Sequence, residues 1–220
     1  MNKQYLDLMQ FFEGYVRNYR RFNLSKIHNR SMFTQREIEY FSKLGEMLGF
    51  DAFIEDSKFD RLKGRSRPMD LALWKWDKRK DHENYIYLAL HLERENQWDK
   101  DEDTIDKLFS DTEEGYIPHN AIGIQFAESK ERIEYLNSLI VEKNKEQKSN
   151  VLMIYRFYDI VSDLNKVEAY NFKPDKAYQV RTAICKTDEF GYWFMCFEEE
   201  YAGPVGTIND TKALKSFLEI

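Results

Sequence analysis

The chain has 220 residues, 42% of them hydrophobic and 15% aromatic, enough to bury one sizeable core. A formal net charge of −6 argues against a general polyanion binder, and no run of about 18 apolar residues offers a membrane-spanning helix. Two cysteines, Cys185 and Cys196, fit a reduced environment, so a single cytoplasmic domain over 1–220 is expected.

Residues 3–22 place Leu6, Met9, Phe12, Val16 and Tyr19 at helical spacing and predict an amphipathic helix. The same stretch interleaves acids and bases and lacks the apolar core of a signal peptide. With the basic connection that follows, it makes an N-terminal helical extension over 1–32. Thr34-Gln35-Arg36-Glu37 then reads as a capping box with Thr34 as N-cap. Phe33 and Ile38 supply a hydrophobic staple, and Gly49 the stop. The stripe Ile38, Phe41, Leu44 and Leu48 brackets Glu37 at about 100° per residue. Either the capping box satisfies this acid, or it points to a site beneath the helix.

Three strand-like runs follow, at 50–55, 69–76 and 85–95, joined by polar segments, and predict a meander. An acid-rich turn then opens a short helix with Ile105, Leu108 and Phe109 on its stripe. Next come a strand at 120–126, a helix at 128–144 and a strand at 151–158, with loops at 144–150 and 170–176. Strands at 177–185 and 192–198 form a hairpin. With Cys185 opposite Tyr192 in that hairpin, a disulfide to Cys196 is disfavoured. Asp210 is expected to cap a last helix running to Leu218.

The run from Tyr85 to Trp98, YIYLALHLERENQW, is apolar for most of its length and then carries Glu93 and Glu95. At a spacing of i, i+2 in a strand the two acids share a face. Burying an unpaired carboxylate is costly, so such acids need a cation. A turn near residue 81 brings Asp70 into register with about residue 92, at the same sheet end. Three carboxylates there suit a hard divalent ion, Mg²⁺ or Mn²⁺, which activates water and stabilises charge on phosphate. Zinc-type Cys or His spacing, Walker loops, dinucleotide glycine loops and nucleophile motifs are absent from the sequence. A carboxylate-based glycosidase fits less well, because a side-by-side pair does not flank a glycosidic bond.

His91, two residues before Glu93 on the same face, supports the acids or serves as a base. Asn96 holds a ligand or shapes the turn. The basic cluster Arg61, Lys63, Arg65 and Arg67 is either a solvated loop or a surface that tracks phosphates of a nucleic acid.

Pro68-Met69-Asp70, an apolar strand, and then Glu93-Arg94-Glu95 resemble the PD-(D/E)XK nuclease superfamily. The resemblance spans about 33–158. It implies an α/β chain with a mixed sheet, a restriction-endonuclease-like αβββαβ core, and a β-rich C-terminal extension over 159–220. It further implies a metal-dependent endonuclease acting on DNA, of restriction, repair or mobile-element type, with Mg²⁺ or Mn²⁺ and no small-molecule cofactor. By this resemblance Asp70 and Glu93 would be metal ligands. Glu95 would join them and position or activate the water, standing where the family usually has lysine. Glu37 would resemble the helix acid that holds a metal-bound water. A homodimer is expected, since cutting two strands takes two sites. The competing expectation is an inactive protein of this fold that binds nucleic acid or another protein, favoured by the acidic balance and the missing lysine.

Overall fold

Asp7 opens helix α1 (Leu8–Asn18), its carboxylate accepting from the Gln10 N–H at 3.4 Å. The helix buries Leu8, Phe11, Phe12, Tyr15 and Val16, then tightens into a 3₁₀ turn over Tyr19–Phe22. The computed structural model describes residues 3–56, 69–75, 87–110, 116–174 and 176–200. Residues 3–7, expected as helix, are instead non-helical and held by the sheet. Leu6 N–H donates to Asn120 Oδ1 at 2.8 Å, and Gln4 N–H to His119 Nδ1 at 3.0 Å.

Helix α2 (Arg30–Met47) begins four residues before Thr34. Asn29 is its cap, accepting from the Met32 N–H at 2.9 Å. Asn caps a helix as well as Thr does, so the earlier site wins. Thr34 lies within the helix and its hydroxyl donates to the Arg30 carbonyl at 3.3 Å. Gly49, at φ 81°, takes the left-handed conformation just beyond the helix end.

Strands β1 (Asp51–Asp56), β2 (Met69–Lys75) and β3 (Tyr87–Arg94) form the expected antiparallel meander. Leu71 pairs with Leu92, which sets Asp70 opposite Glu93. Arg61, Lys63, Arg65 and Arg67 lie outside the described residues, as does the 210–218 segment. Strand β4 (Asn120–Phe126) runs parallel to both β3 and β5 (Asn150–Asp159). Parallel neighbours need crossovers, supplied by α3 (Asp101–Leu108) and α4 (Lys130–Gln147).

Strands β6 (Leu164–Phe172), β7 (Gln179–Thr187) and β8 (Trp193–Phe197) continue antiparallel. The result is one eight-stranded mixed sheet whose spatial order follows chain order, a mixed α/β fold. Cys185 pairs with Met195 and Ile184 with Cys196, a register that differs from the expected one. The two thiols therefore project to opposite faces of the sheet.

Helices α1 and α2 cover one face. There Phe12, Tyr15 and Phe41 pack on Leu71, Leu92, Ile122 and Ile154. Helices α3 and α4 cover the other, with Leu108, Ile133 and Leu136 on Met153 and Tyr155. Gly123 lets α3 approach closely, for a Cβ there would stand 2.5 Å from Met153 Sδ and 3.0 Å from Leu108 Cδ1. Among the described residues no helix is long and apolar enough to cross a membrane.

Candidate functional site

Strand β3 ends with alternation that splits its charges. His91 and Glu93 face α3, whereas Leu92 and Arg94 face α1 and α2. Glu93 is only 2% exposed. Its Oε1 lies 2.7 Å from His91 Nε2, and its Oε2 lies 3.5 Å from Nζ of Lys107 in the last turn of α3. Asp70 Oδ2 accepts from the Arg94 backbone N–H at 2.6 Å. Burial, and then the nearby Glu93 charge, push the Asp70 carboxyl up to about 6. The Arg94 N–H, Lys107 and His91 pull it down by less. A carboxyl raised by burial and then by a neighbouring carboxylate gains from a cation that reaches both.

The structure thus brings Asp70, His91 and Glu93 together. It leaves Glu95 and Asn96 in the turn beyond β3. Glu95 Oε1 accepts from the backbone N–H groups of Asn96 at 2.7 Å and Gln97 at 2.8 Å. The Asn96 amide donates to Thr34 Oγ1, which ties this turn to α2. Because β3 stops at Arg94, the strict alternation that would align Glu95 with Glu93 stops there too.

Glu37 is on the opposite face of the sheet from Glu93. It is fully buried and paired with the guanidiniums of Arg94 and Arg156. Tyr15 and Tyr19 hydroxyls donate to it at 3.0 and 3.2 Å. Burial alone would raise its carboxyl, but the Arg156 and Arg94 charges outweigh that and hold it below its ordinary value. Of the two readings open for Glu37, the cap is not made; the side chain points beneath the helix, but to Arg94 and Arg156 rather than to the Asp70 and Glu93 face. It anchors a buried ionic cluster.

Two residues of these clusters escape sequence reasoning. Lys107 sits on the exposed side of a short helix, and only the crossover from β3 to β4 swings it over Glu93. Arg156 had a signal: a lone cation within the apolar run VLMIYRFY demands a buried partner.

Among the described residues no group of three or more His, Cys, Asp or Glu side chains is arranged to hold a metal ion. Two carboxylates on neighbouring strands at one end of the sheet remain, and Mg²⁺ commonly binds through one or two carboxylates, with water and substrate phosphate completing its shell. Asp70 and Glu93 fit that donor set. No family model matches the chain, and no curated protein matches its sequence. Among solved structures, the central domain of yeast acetyl-CoA carboxylase is similar at a TM-score of 0.36 and 8% identity, over 74% of this chain and 26% of that one. That likeness is too remote to inform fold or function, and the chain spans about a quarter of the length of that protein chain.

Proposed function

We propose that the chain is a metal-dependent nuclease of the PD-(D/E)XK kind that hydrolyses DNA phosphodiester bonds, with Mg²⁺ held by Asp70 and Glu93. The observation that carries this reading is Asp70 set opposite Glu93 at the end of β3, its carboxyl pushed up to about 6. The run α2, β1, β2, β3, α3, β4 supports it, following the αβββαβ order. A bound Mg²⁺ would acidify a water and stabilise charge on the phosphate.

The chain's own residues prepare that chemistry. His91 fixes the Glu93 carboxylate through the 2.7 Å contact. The Arg94 N–H fixes Asp70. Lys107 offers the ammonium that Glu95 cannot, close enough to orient a water or a phosphate oxygen. Glu95 takes a supporting role, with Oε1 committed to the turn and its second oxygen left for a water. Glu37 acts at one remove, holding the Arg94 side chain whose backbone N–H holds Asp70. Two copies acting together would cut both strands.

The test is cleavage of plasmid and linear DNA, and of RNA, with Mg²⁺, Mn²⁺ or EDTA. Asp70→Asn, Glu93→Gln and Lys107→Met are each expected to lower the rate on the order of 100-fold. A folded protein that cuts no nucleic acid in any metal overturns the reading. One observation favours a second reading, a non-catalytic protein of this fold that binds nucleic acid or protein. Glu93 already has His91 and Lys107 as partners and needs no metal to be satisfied.

A further inference from the structure

A cavity of 570 Å³ opens on the sheet face that carries Glu37, between the start of α2 and the ends of β3 to β6. It is separate from the Asp70–Glu93 pair, which lies on the face covered by α3. Arg94 and Arg156 line its floor. Arg156 Nη2 serves Glu37 and Tyr15. Arg156 Nε and Arg94 Nη2 are buried without a partner. Arg156 Nη1 makes no hydrogen bond among the described residues either, and it is not among the buried atoms. Two guanidiniums thus face one carboxylate, and several N–H donors stay unused. Unmade bonds at buried charged groups are costly, so the cluster has capacity for a further anion.

Arg30 and Lys166 add positive charge at the wall against Glu128, although Lys166 is partly engaged by Asp159 and Glu198. The remaining wall carries aromatic residues of the same sheet face and of α2: Phe33, Phe126, Tyr158 and Trp193. The Phe126 ring lies over both guanidiniums, its centroid 5.5 Å from Arg94 Cζ and 5.9 Å from Arg156 Cζ. Aromatic walls accept flat rings. Arginine forks match carboxylate and phosphate, and the aromatic side chains beside them favour a phosphate that carries a flat base. The volume lies within the range of about 300–1,000 Å³ usual for small-ligand sites.

We propose that this cavity binds a nucleoside monophosphate, with the phosphate on Arg156 and Arg94 and the base among the aromatic side chains. The nucleotide is either free or the phosphorylated end of a strand. Binding does not depend on the nuclease reading, because it uses the other face of the sheet and no metal.

The experiment is titration of the full chain in EDTA, followed by calorimetry and by the fluorescence of Trp193 in the cavity wall. Adenosine and cytidine monophosphates are compared with their nucleosides and with inorganic phosphate. The monophosphates are expected to bind with a Kd below about 1 mM and at least about tenfold more tightly than the nucleosides. A 5′-phosphorylated trinucleotide separates the sources: equal binding admits strand ends, and exclusion restricts the site to free nucleotides. Arg156→Lys is expected to weaken binding about tenfold, since lysine keeps the charge and loses the fork. That variant risks the fold, because Arg156 also holds Glu37. Phe126→Glu, at a partly exposed position, sets a carboxylate beside the same guanidiniums, where it competes with and repels the phosphate, and is expected to abolish binding while the protein stays folded. Equal affinity for nucleoside and monophosphate, no binding of either, or full binding by a folded Phe126→Glu protein overturns the proposal.

Discussion

Arg94 links three acids at once. Its backbone N–H holds Asp70, its side chain pairs with Glu37, and its Nη1 reaches the carbonyl of Glu95. Removing Glu37 leaves two buried guanidiniums facing each other, so Glu37→Ala is expected to cost about 3–5 kcal/mol in chemical denaturation. Asp70 has the opposite sign. Its carboxyl is raised from an ordinary 3.8 to about 6, so the folded state favours the protonated form. The contribution of Asp70 is therefore fully present below the unfolded value and is lost as pH rises through the folded one. After allowance for partial solvent screening, Asp70→Asn is expected to stabilise the metal-free protein by about 1–2 kcal/mol at pH 8 and very little at pH 4. Urea melts at the two pH values measure it. A stabilising substitution that removes cleavage would place Asp70 at a site built for ligand rather than for fold. The Asp70 and Glu93 pairing was legible in the sequence because strand register and turn position fix it. The partners of Glu37 were not, because they come from α1, the 3₁₀ turn after it, β3 and β5, 18 to 119 residues away along the chain.

Helix α3 reaches the site only because β4 makes room for it at Gly123. A Cβ at that position would press on Met153 and on Leu108, the neighbour of Lys107. Gly123→Val is expected to destabilise by about 2–3 kcal/mol, read in a urea melt. Cleavage should fall further than the loss of folded protein explains, because α3 carries Lys107 out of reach of Glu93. Strands β1 to β5 and helices α2 to α4 were readable from apolar runs and turn residues, with errors at their ends. Strand β6 was not. Its polar residues Glu168 and Asn171 are buried on specific partners rather than exposed, and so hide the alternation. Asn171 bonds to Asn150 Oδ1 at 2.8 Å, and Glu168 pairs with Lys130 of α4. The start of α2 was misplaced for a related reason: two good caps lie within five residues, and composition alone does not choose between them.

At the scale of the molecule, one sheet carries an acidic pair on one face and a cationic cavity on the other. A ligand that binds the folded state alone raises its stability, so millimolar Mg²⁺ at pH 8 is expected to raise Tm by about 3 °C, reversed by EDTA and absent in Asp70→Asn. A thermal melt checks it without reference to cleavage. The architecture itself was legible in outline, as helices alternating with strands and a β-rich end. That the end extends the same sheet follows from long-range pairing, which local pattern does not reveal. The order of the strands has a consequence for how the chain acquires its shape. Every strand from β2 to β8 pairs with its immediate predecessor, so each can add to an edge already formed, and growth during synthesis needs no rearrangement. Contacts of α1 with late strands break that sequence, among them Arg156 with Tyr15 and Arg181 with Glu13. Phe12 of α1 meets Phe197 of β8, ring centroids 6.0 Å apart. Helix α1 thus meets its last partner only when β8 is made, and the Phe12 side of its apolar stripe stays open until then. Chaperone capture and early proteolysis should concentrate on α1 until β8 arrives to close over it.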